Sequence, residues 1–176
     1  MTPAPGHLHN PPDLKLQLFS QARLLSSTRA MVSTISQRLG FNEAQSGQIT
    51  LAVDEALCNI INHGYDRRTD GQIWMSIWAD EGNPPTLKIV LEDLARQVDP
   101  KLIRSRKLEE IRPGGLGVFI IHEIMDEVAY EQRAEGGMRL TMVKRLFRDG
   151  ASDCRSGAPQ QQSDSGCHCT EKSRAT

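Results

Sequence analysis

The stretch Leu51–Tyr65 constrains the fold more than any other part of the chain, because it combines an apolar stripe with a polar edge. Apolar side chains recur at the three- and four-residue spacing of an amphipathic helix with one buried face: Ile49, Ala52, Val53, Ala56, Leu57 and Ile60. Beside this stripe, the spacing of Glu55, Asn59 and Asn62 places a carboxylate and two amides on one helix face. A carboxylate can accept a proton, and an amide oxygen can hold a hard metal ion. A solvated polar face is the alternative interpretation.

Length and composition favour one soluble globular domain. The chain has 176 residues, of which 38% are hydrophobic and 24% charged. A net charge of −1 argues against a protein that binds nucleic acid by bulk attraction. No apolar run approaches the roughly 20 residues that span a bilayer, and the N-terminus lacks the pattern of a secretory signal. We therefore expect a cytoplasmic protein with no direct nucleic-acid or membrane partner.

The two ends of the chain differ in composition from the middle. Residues 1–12 carry four of the nine prolines and are predicted to be a flexible arm. Beyond Phe147 there is no Leu, Ile, Val, Met, Phe, Trp or Tyr, so 148–176 is predicted to be a disordered tail. This leaves 13–147 as the predicted domain.

The cysteines leave a metal-binding or redox role for the tail open. Cys58 lies on the central helix and is most simply a small residue near the core. Cys154, Cys167 and Cys169, with His168, could bind a metal. Their spacing lacks the paired Cys-x-x-Cys knuckles of a zinc site. Composition is therefore the only support for a tail that acts as a metal or redox sensor.

The first half of the domain is predicted to form a strand, two helices and a hairpin. Asp13–Phe19 alternates as a half-buried strand does, and Ala22–Leu39 fits a helix closed by Gly40. Asn42 and Gln45 form a capping box for the central helix, which is expected to end near His63-Gly64 in a left-handed turn. The hairpin that follows pairs two predicted strands, Gln72–Ala79 and Thr86–Asp93.

The second half contains a long irregular segment and then a glycine-opened helix. Residues 94–113 hold six cationic side chains, and a loop this long in a compact domain suggests a working lid. Pro113–Gly117 precedes an apolar helix over Val118–Met125, whose bare amides predict an anion site, although such glycines also mark plain turns. A second hairpin, 127–132 with 138–147, turns at Gly136-Gly137.

This order of elements predicts an α+β, two-layer α/β sandwich: a mixed, mostly antiparallel sheet with helices on one face. Asp54–Gly64 looks like an ATP-binding box, Gly114–Ile121 like the glycine box after a lid, and Met125–Val128 with Gly136–Lys144 like a closing hairpin. With these motifs, 13–147 resembles the Bergerat-type ATP-binding domain of DNA gyrase, heat-shock chaperones, histidine kinases and mismatch-repair ATPases, the GHKL superfamily. Within it, the chain is most similar to the small anti-sigma-factor serine kinases of bacteria.

The resemblance implies a site for ATP and Mg²⁺. Glu55 matches the general base, Asn59 the magnesium ligand, and Asp93 the aspartate that accepts a hydrogen bond from the adenine amino group. The remaining cofactor-binding positions that it implies are Asn62, His63, Ala95, Gly115, Leu116, Gly117 and Val118, whose glycines match the backbone beside the phosphates. Arg112 could approach the phosphates, with a solvated lid cation as the alternative.

One position departs from the family pattern. The adenine box normally reads Asp-x-Gly, whereas here it reads Asp93-Leu-Ala95. If a glycine is needed for positive φ or close approach of the base, the methyl group weakens nucleotide binding or shifts the loop.

The resemblance also implies an activity and partners. The expected activity is ATP-dependent phosphorylation, on serine or threonine, of a STAS-like anti-sigma-factor antagonist. A sigma factor is the expected second partner, and the family implies a homodimer. The alternative is a weakly ATP-binding or non-catalytic partner-switching module that regulates a sigma factor by binding alone.

Overall fold

The structure, a computed structural model, describes residues 11–103 and 116–147. The strands of this part are β1 Leu14–Phe19, β2 Gln72–Asp80, β3 Thr86–Asp93, β4 Glu127–Gln132 and β5 Met138–Arg145. The α-helices are α1 Leu25–Arg38, α2 Glu43–Asn59 and α3 Leu116–Ile124. Shorter 3₁₀ turns lie at Ala22–Leu24 and Pro100–Leu102, and a π-helical turn at Ile60–Gly64 follows α2.

The five described strands form one sheet in the order β1-β2-β3-β5-β4. Both predicted hairpins are confirmed, with β2 paired to β3 and β4 paired to β5. All four pairings are antiparallel, including the one that brings β5 alongside β3. The prediction of a largely antiparallel sheet is therefore confirmed.

One face of the sheet carries the core and the other is open. Alternate residues of β2 and β3 are fully buried on the covered face: Ile73, Met75, Ile77, Leu87, Ile89 and Leu91. They share one hydrophobic core with Ile49, Val53 and Leu57 of α2, which packs against both α1 and α3. Trp74 and Trp78 alternate with the buried set and are only partly covered. The predicted two-layer sandwich with helices on one face is thus observed.

The caps and turns around α2 are set by local chemistry. The Asn42 side chain accepts from the Gln45 amide at 2.8 Å while the Gln45 side chain accepts from the Asn42 amide at 2.9 Å, so the predicted capping box is confirmed. Gly40 closes α1 with a φ of 103°. The expected left-handed turn at Gly64 is wrong, because the positive φ values after α2 fall on Asp66 and Arg67.

Several predictions fall outside the described residues. These are the N-terminal arm up to residue 10, most of the lid, the glycine run up to Gly115, and the tail with Cys154, Cys167 and Cys169. The domain boundaries stay a prediction. Among the residues that are described, no helix combines the length and apolar character needed to cross a membrane.

Candidate active site

A cavity of about 230 Å³ opens where the end of α2 meets the end of β3 and the start of β5. Its lining consists of Ala56, Asn59, Ile60, His63, Gly64, Asp93, Ala95, Arg96, Val98, Ile103, Val118, Tyr130, Met138 and Leu140. Most of these side chains are apolar, so the cavity suits a flat apolar body with a few polar groups on its edge. A larger depression of about 620 Å³ lies on the open face of the sheet and includes none of the predicted site residues.

Asp93 supplies the buried polar group of the cavity. Its side chain sits at the last position of β3, on the covered face, with 3% of its surface exposed. Oδ1 accepts from the backbone amides of Ala95 at 2.8 Å and Met138 at 3.1 Å. No residue within 11–103 or 116–147 donates to Oδ2, which leaves one carboxylate oxygen available to a ligand.

Neighbouring groups stabilise the ionised form of Asp93, which burial disfavours. Burial raises the pKa of this carboxyl, and the two amide hydrogen bonds and the Arg133 guanidinium oppose the shift. Arg133 also donates from Nη1 to the Asp93 carbonyl oxygen at 2.7 Å. An unused acceptor in an apolar cavity selects a ligand that brings a donor, such as an exocyclic amino group.

Glu55 and Asn59 form the second polar group of the site, one helical turn apart on α2. They face Gly117 of α3 so closely that a methyl group there would lie 2.5 Å from Glu55 Oε2 and 3.4 Å from Asn59 Nδ2. The adjacent Asp54 is bonded to Arg29 of α1 at 2.9 Å. In the described part of the chain, no hydrogen bond engages the Glu55 carboxylate or the Asn59 amide. Both remain available, next to the first turn of α3.

The first turn of α3 lies beside these two side chains. The predicted apolar helix after the glycine run is confirmed and begins at Leu116, which is exposed, while Val118 lines the cavity. Amides at a helix N-terminus attract anions because they have no partner within the helix. Gly115, whose backbone was predicted to lie against phosphates, is outside the described residues.

The end of α2 changes its helical pitch at the cavity. Tyr65 N donates to Ile60 O at 2.9 Å, a bond that spans five residues and makes a π-helical turn. This turn follows Asn59 and changes the rotation of the residues after it. His63 lines the cavity, whereas Asn62 is exposed and does not line it. Glu55 and Asn59 are therefore brought together with α3, and Asn62 is placed apart from the cavity.

Ala95 is accommodated by the glycine that faces it. In the described residues, positive φ outside glycine occurs only at Asp66 and Arg67, so the concern that Ala95 needs a left-handed backbone is wrong. The Ala95 methyl group points toward Gly64, where an added methyl carbon would lie 2.9 Å away. The methyl thus occupies space that a side chain at residue 64 would need.

Several residues that line the cavity are not indicated by any sequence motif. Val98 and Ile103 lie in the segment that was interpreted as a lid, and Tyr130, Met138 and Leu140 come from the second hairpin. Burial raises the pKa of Tyr130 to about 12. Alternation along β5 marks Leu140 and Met142 as inward-facing, yet only the pairing of β5 with β3 brings this strand beside Asp93.

The polar groups of the site fit a metal ion that is coordinated mainly by phosphate oxygens and water, with few protein ligands. Across 11–103 and 116–147, no three His, Cys, Asp or Glu side chains cluster as a metal site. Mg²⁺ takes oxygen ligands and commonly combines one or two protein groups with phosphate oxygens and water. The available amide of Asn59 beside the α3 N-terminus fits this mode of binding.

Comparison with known families identifies the domain. The histidine kinase-like ATPase domain family matches residues 19–144, which is most of the chain. The chain belongs to this family. The cavity beside Asp93 and helix α3 therefore lie in a histidine kinase-like ATPase domain.

The chain is also similar to individual proteins. The chain is 27% identical to the serine-protein kinase RsbW of Halalkalibacterium halodurans over 81% of this chain and 88% of the relative. It is 26% identical to the same kinase of Staphylococcus epidermidis, over 77% and 88%. A solved histidine kinase domain from the EL346 blue-light activated histidine kinase of Erythrobacter litoralis matches with TM-score 0.43 and 18% identity, covering 69% of this chain and 59% of that one.

Proposed function

We propose that this protein is an ATP-dependent serine/threonine-protein kinase that also acts as an anti-sigma factor in a partner-switching pathway. The main observation in support of kinase activity is that Glu55 and Asn59 lie against Gly117, next to the cavity that Asp93 lines. Support also comes from membership of the ATPase domain family and from relatives named serine-protein kinase RsbW.

The cavity binds the adenine base. The unused Oδ2 of Asp93 accepts a hydrogen bond from the adenine amino group, while Oδ1 stays with its two backbone donors. Apolar side chains such as Val98, Met138 and Leu140 cover the faces of the base. This arrangement prefers adenine to guanine, because guanine presents an oxygen where Asp93 needs a donor.

Glu55 acts as the general base and Asn59 holds the metal. Bound Mg-ATP supplies the γ-phosphoryl group and a cation that neutralises charge on the phosphates. Glu55 orients the hydroxyl of the acceptor serine and takes its proton as the hydroxyl oxygen bonds to the γ-phosphorus and the bond to the ADP oxygen breaks. Because Gly117 has no side chain, the first turn of α3 packs against Glu55 and Asn59, and its bare amides bind the anionic oxygens of the phosphates beside them.

The partners follow from the resemblance to anti-sigma-factor kinases. The acceptor serine or threonine belongs to a STAS-like antagonist, and the second partner is a sigma factor. We also propose that the protein is a homodimer in the cytoplasm.

Phosphate transfer from labelled ATP to the cognate antagonist tests this function. In Glu55→Gln, transfer should fall at least about a hundredfold, the usual size of a general-base contribution, while calorimetry still detects ATP binding. Asp54→Asn is the matched control, because it removes the neighbouring carboxylate, which is paired with Arg29, and should keep transfer. Undiminished transfer in Glu55→Gln would remove that residue from its role.

A module that binds partners without catalysis is the second candidate, and Ala95 is the observation that favours it. Its methyl group lines the cavity at a position where the family has glycine. No nucleotide binding in calorimetry with millimolar Mg-ATP, with sigma-factor binding retained, would support this candidate over the kinase.

A further inference from the structure

The hydroxyl of Tyr65 joins the end of α2 to the end of β3. It donates to the carbonyl oxygen of Gln72 at 2.6 Å and accepts from the amide of Leu94 at 2.9 Å. Leu94 directly follows Asp93, the buried acceptor of the cavity. A single side chain from the π-helical turn therefore contacts the backbone one residue beyond the adenine-binding carboxylate.

The two backbone groups that Tyr65 bridges would otherwise continue the sheet. The β2–β3 ladder ends with Ile73 opposite Asp93, so the next antiparallel pair would be Gln72 opposite Leu94. Gln72 instead keeps its pairing with Phe19 on β1, and the tyrosine hydroxyl stands between its carbonyl and the Leu94 amide. The inserted hydroxyl satisfies both groups and separates the strands at this residue.

The ring of Tyr65 is closely packed, which restricts the position of its hydroxyl. Only 8% of the residue is exposed, and the ring lies against Gly71, where an added methyl carbon would be 2.5 Å from Cδ1. On the other side of the loop, Arg133 binds the Asp93 carbonyl and Gln97 binds the Gly137 carbonyl. Tyr65 holds this loop from the helix layer, through the hydrogen bond between its hydroxyl and the Leu94 amide.

We propose that Tyr65 is a positioning residue: its hydroxyl ends the β2–β3 ladder at Asp93 and thereby orients the Asp93 carboxylate toward adenine. This inference rests on the proposed ATP-binding function. It assigns Tyr65 a role in base selectivity, because the loop that it holds carries the group that distinguishes an amino group from an oxygen.

Tyr65→Phe removes the hydroxyl and keeps the ring on Gly71. The loss of these hydrogen bonds is expected to raise the Kd for ATP about tenfold, equivalent to about 1.4 kcal/mol, and to change the Kd for GTP less than about twofold. The preference for ATP over GTP should therefore fall about tenfold in calorimetric titrations. By NMR, the Leu94 amide should exchange with solvent about tenfold faster or more, because its acceptor is gone.

Ser20→Ala is the matched control. The Ser20 hydroxyl is buried and also ties the loop after α2, since it accepts from the Gly71 amide at 3.0 Å and donates to the Arg68 carbonyl. It makes no bond to residue 94, so its loss should lower stability without changing the ATP-to-GTP ratio or Leu94 exchange.

The outcomes separate this inference from the function on which it rests. An unchanged nucleotide ratio in Tyr65→Phe, in a protein whose wild type binds ATP, would overturn the positioning role alone. An equal loss of both nucleotides in Tyr65→Phe and Ser20→Ala would also overturn it, because it would show a general structural effect. A wild-type protein that binds no nucleotide would overturn the proposed function and this inference together.

Discussion

Substitutions at Gly64 and Ala95 are predicted to be energetically coupled, because the Ala95 methyl group fills the space that a side chain at residue 64 would need. In Gly64→Ala the new methyl carbon meets Ala95 Cβ at 2.9 Å, and its next neighbour, Ile60 Cγ2, is 3.9 Å away. Carbon atoms in contact prefer about 3.5–4.0 Å, so the clash is confined to one partner. The backbone of Gly64 is not left-handed, and alanine at this position therefore adds no conformational strain.

The expected magnitude follows from this geometry. Overpacking of this kind costs about 1–3 kcal/mol, which the better helix propensity of alanine offsets by up to about 1 kcal/mol. In Ala95→Gly the clash partner is absent, so Gly64→Ala should then be neutral or stabilising. The coupling free energy between the two positions should be about 1–3 kcal/mol, in favour of the double variant.

Urea denaturation of the wild type, both single variants and the double variant measures this coupling. Each 1 kcal/mol should also shift the melting temperature by roughly 2–8 °C for a domain of this size. Equal m-values across the four proteins would confirm that the denatured state is unchanged. Additive effects, with Gly64→Ala equally costly in both backgrounds, would refute the proposed contact between residues 64 and 95.

Three further predictions concern ligand binding, the buried charge of Asp93 and the catalytic pair. Asp93→Asn keeps an oxygen for the two backbone donors but places NH₂ where the base needs an acceptor, so calorimetry should show ATP binding weakened about ten- to a hundredfold. Burial raises the pKa of Asp93 in the folded protein. The free-energy cost of its buried charge is therefore absent at a pH below the pKa of the unfolded state and complete above the pKa of the folded state. As the pH rises from about 4 to neutrality, the melting temperature of Asp93→Asn should increase relative to that of the wild type. Gly117→Ala puts a methyl 2.5 Å from Glu55 Oε2 and should lower phosphate transfer by about a hundredfold through misplacement of the base. Gly47→Ala, which meets nothing within 4 Å, should leave transfer intact, and equal transfer in both variants would contradict the close approach of α3.

Local patterns predicted most of the secondary structure. The capping box at Asn42, the glycine that closes α1 and the alternation along β1 depend on neighbouring residues, and each is present as predicted. Glu55 and Asn59 were assigned from spacing and family resemblance, and the structure brings both against α3. Their chemical roles stay a prediction.

Other features depended on contacts between distant residues. The π-helical turn after Asn59 has no local signal, since its stretch reads as a continued helix, and it separates His63 from Asn62 at the cavity. The outcome at Ala95 was likewise hidden, because the tolerance of its methyl group depends on a glycine that is far away in the chain.

The amphipathic stripe of α2, its polar edge and its cap are determined by the order of residues alone, because helix periodicity and capping act within a few positions. Which polar groups become a site was decided only by tertiary structure. The Asp93 carboxylate gains its buried acceptor character from amides at Ala95 and Met138, and its loop is held by the hydroxyl of Tyr65. Met138 and Tyr65 reach Asp93 only once β5 pairs with β3 and α2 packs on the sheet, and sequence spacing does not encode such distances.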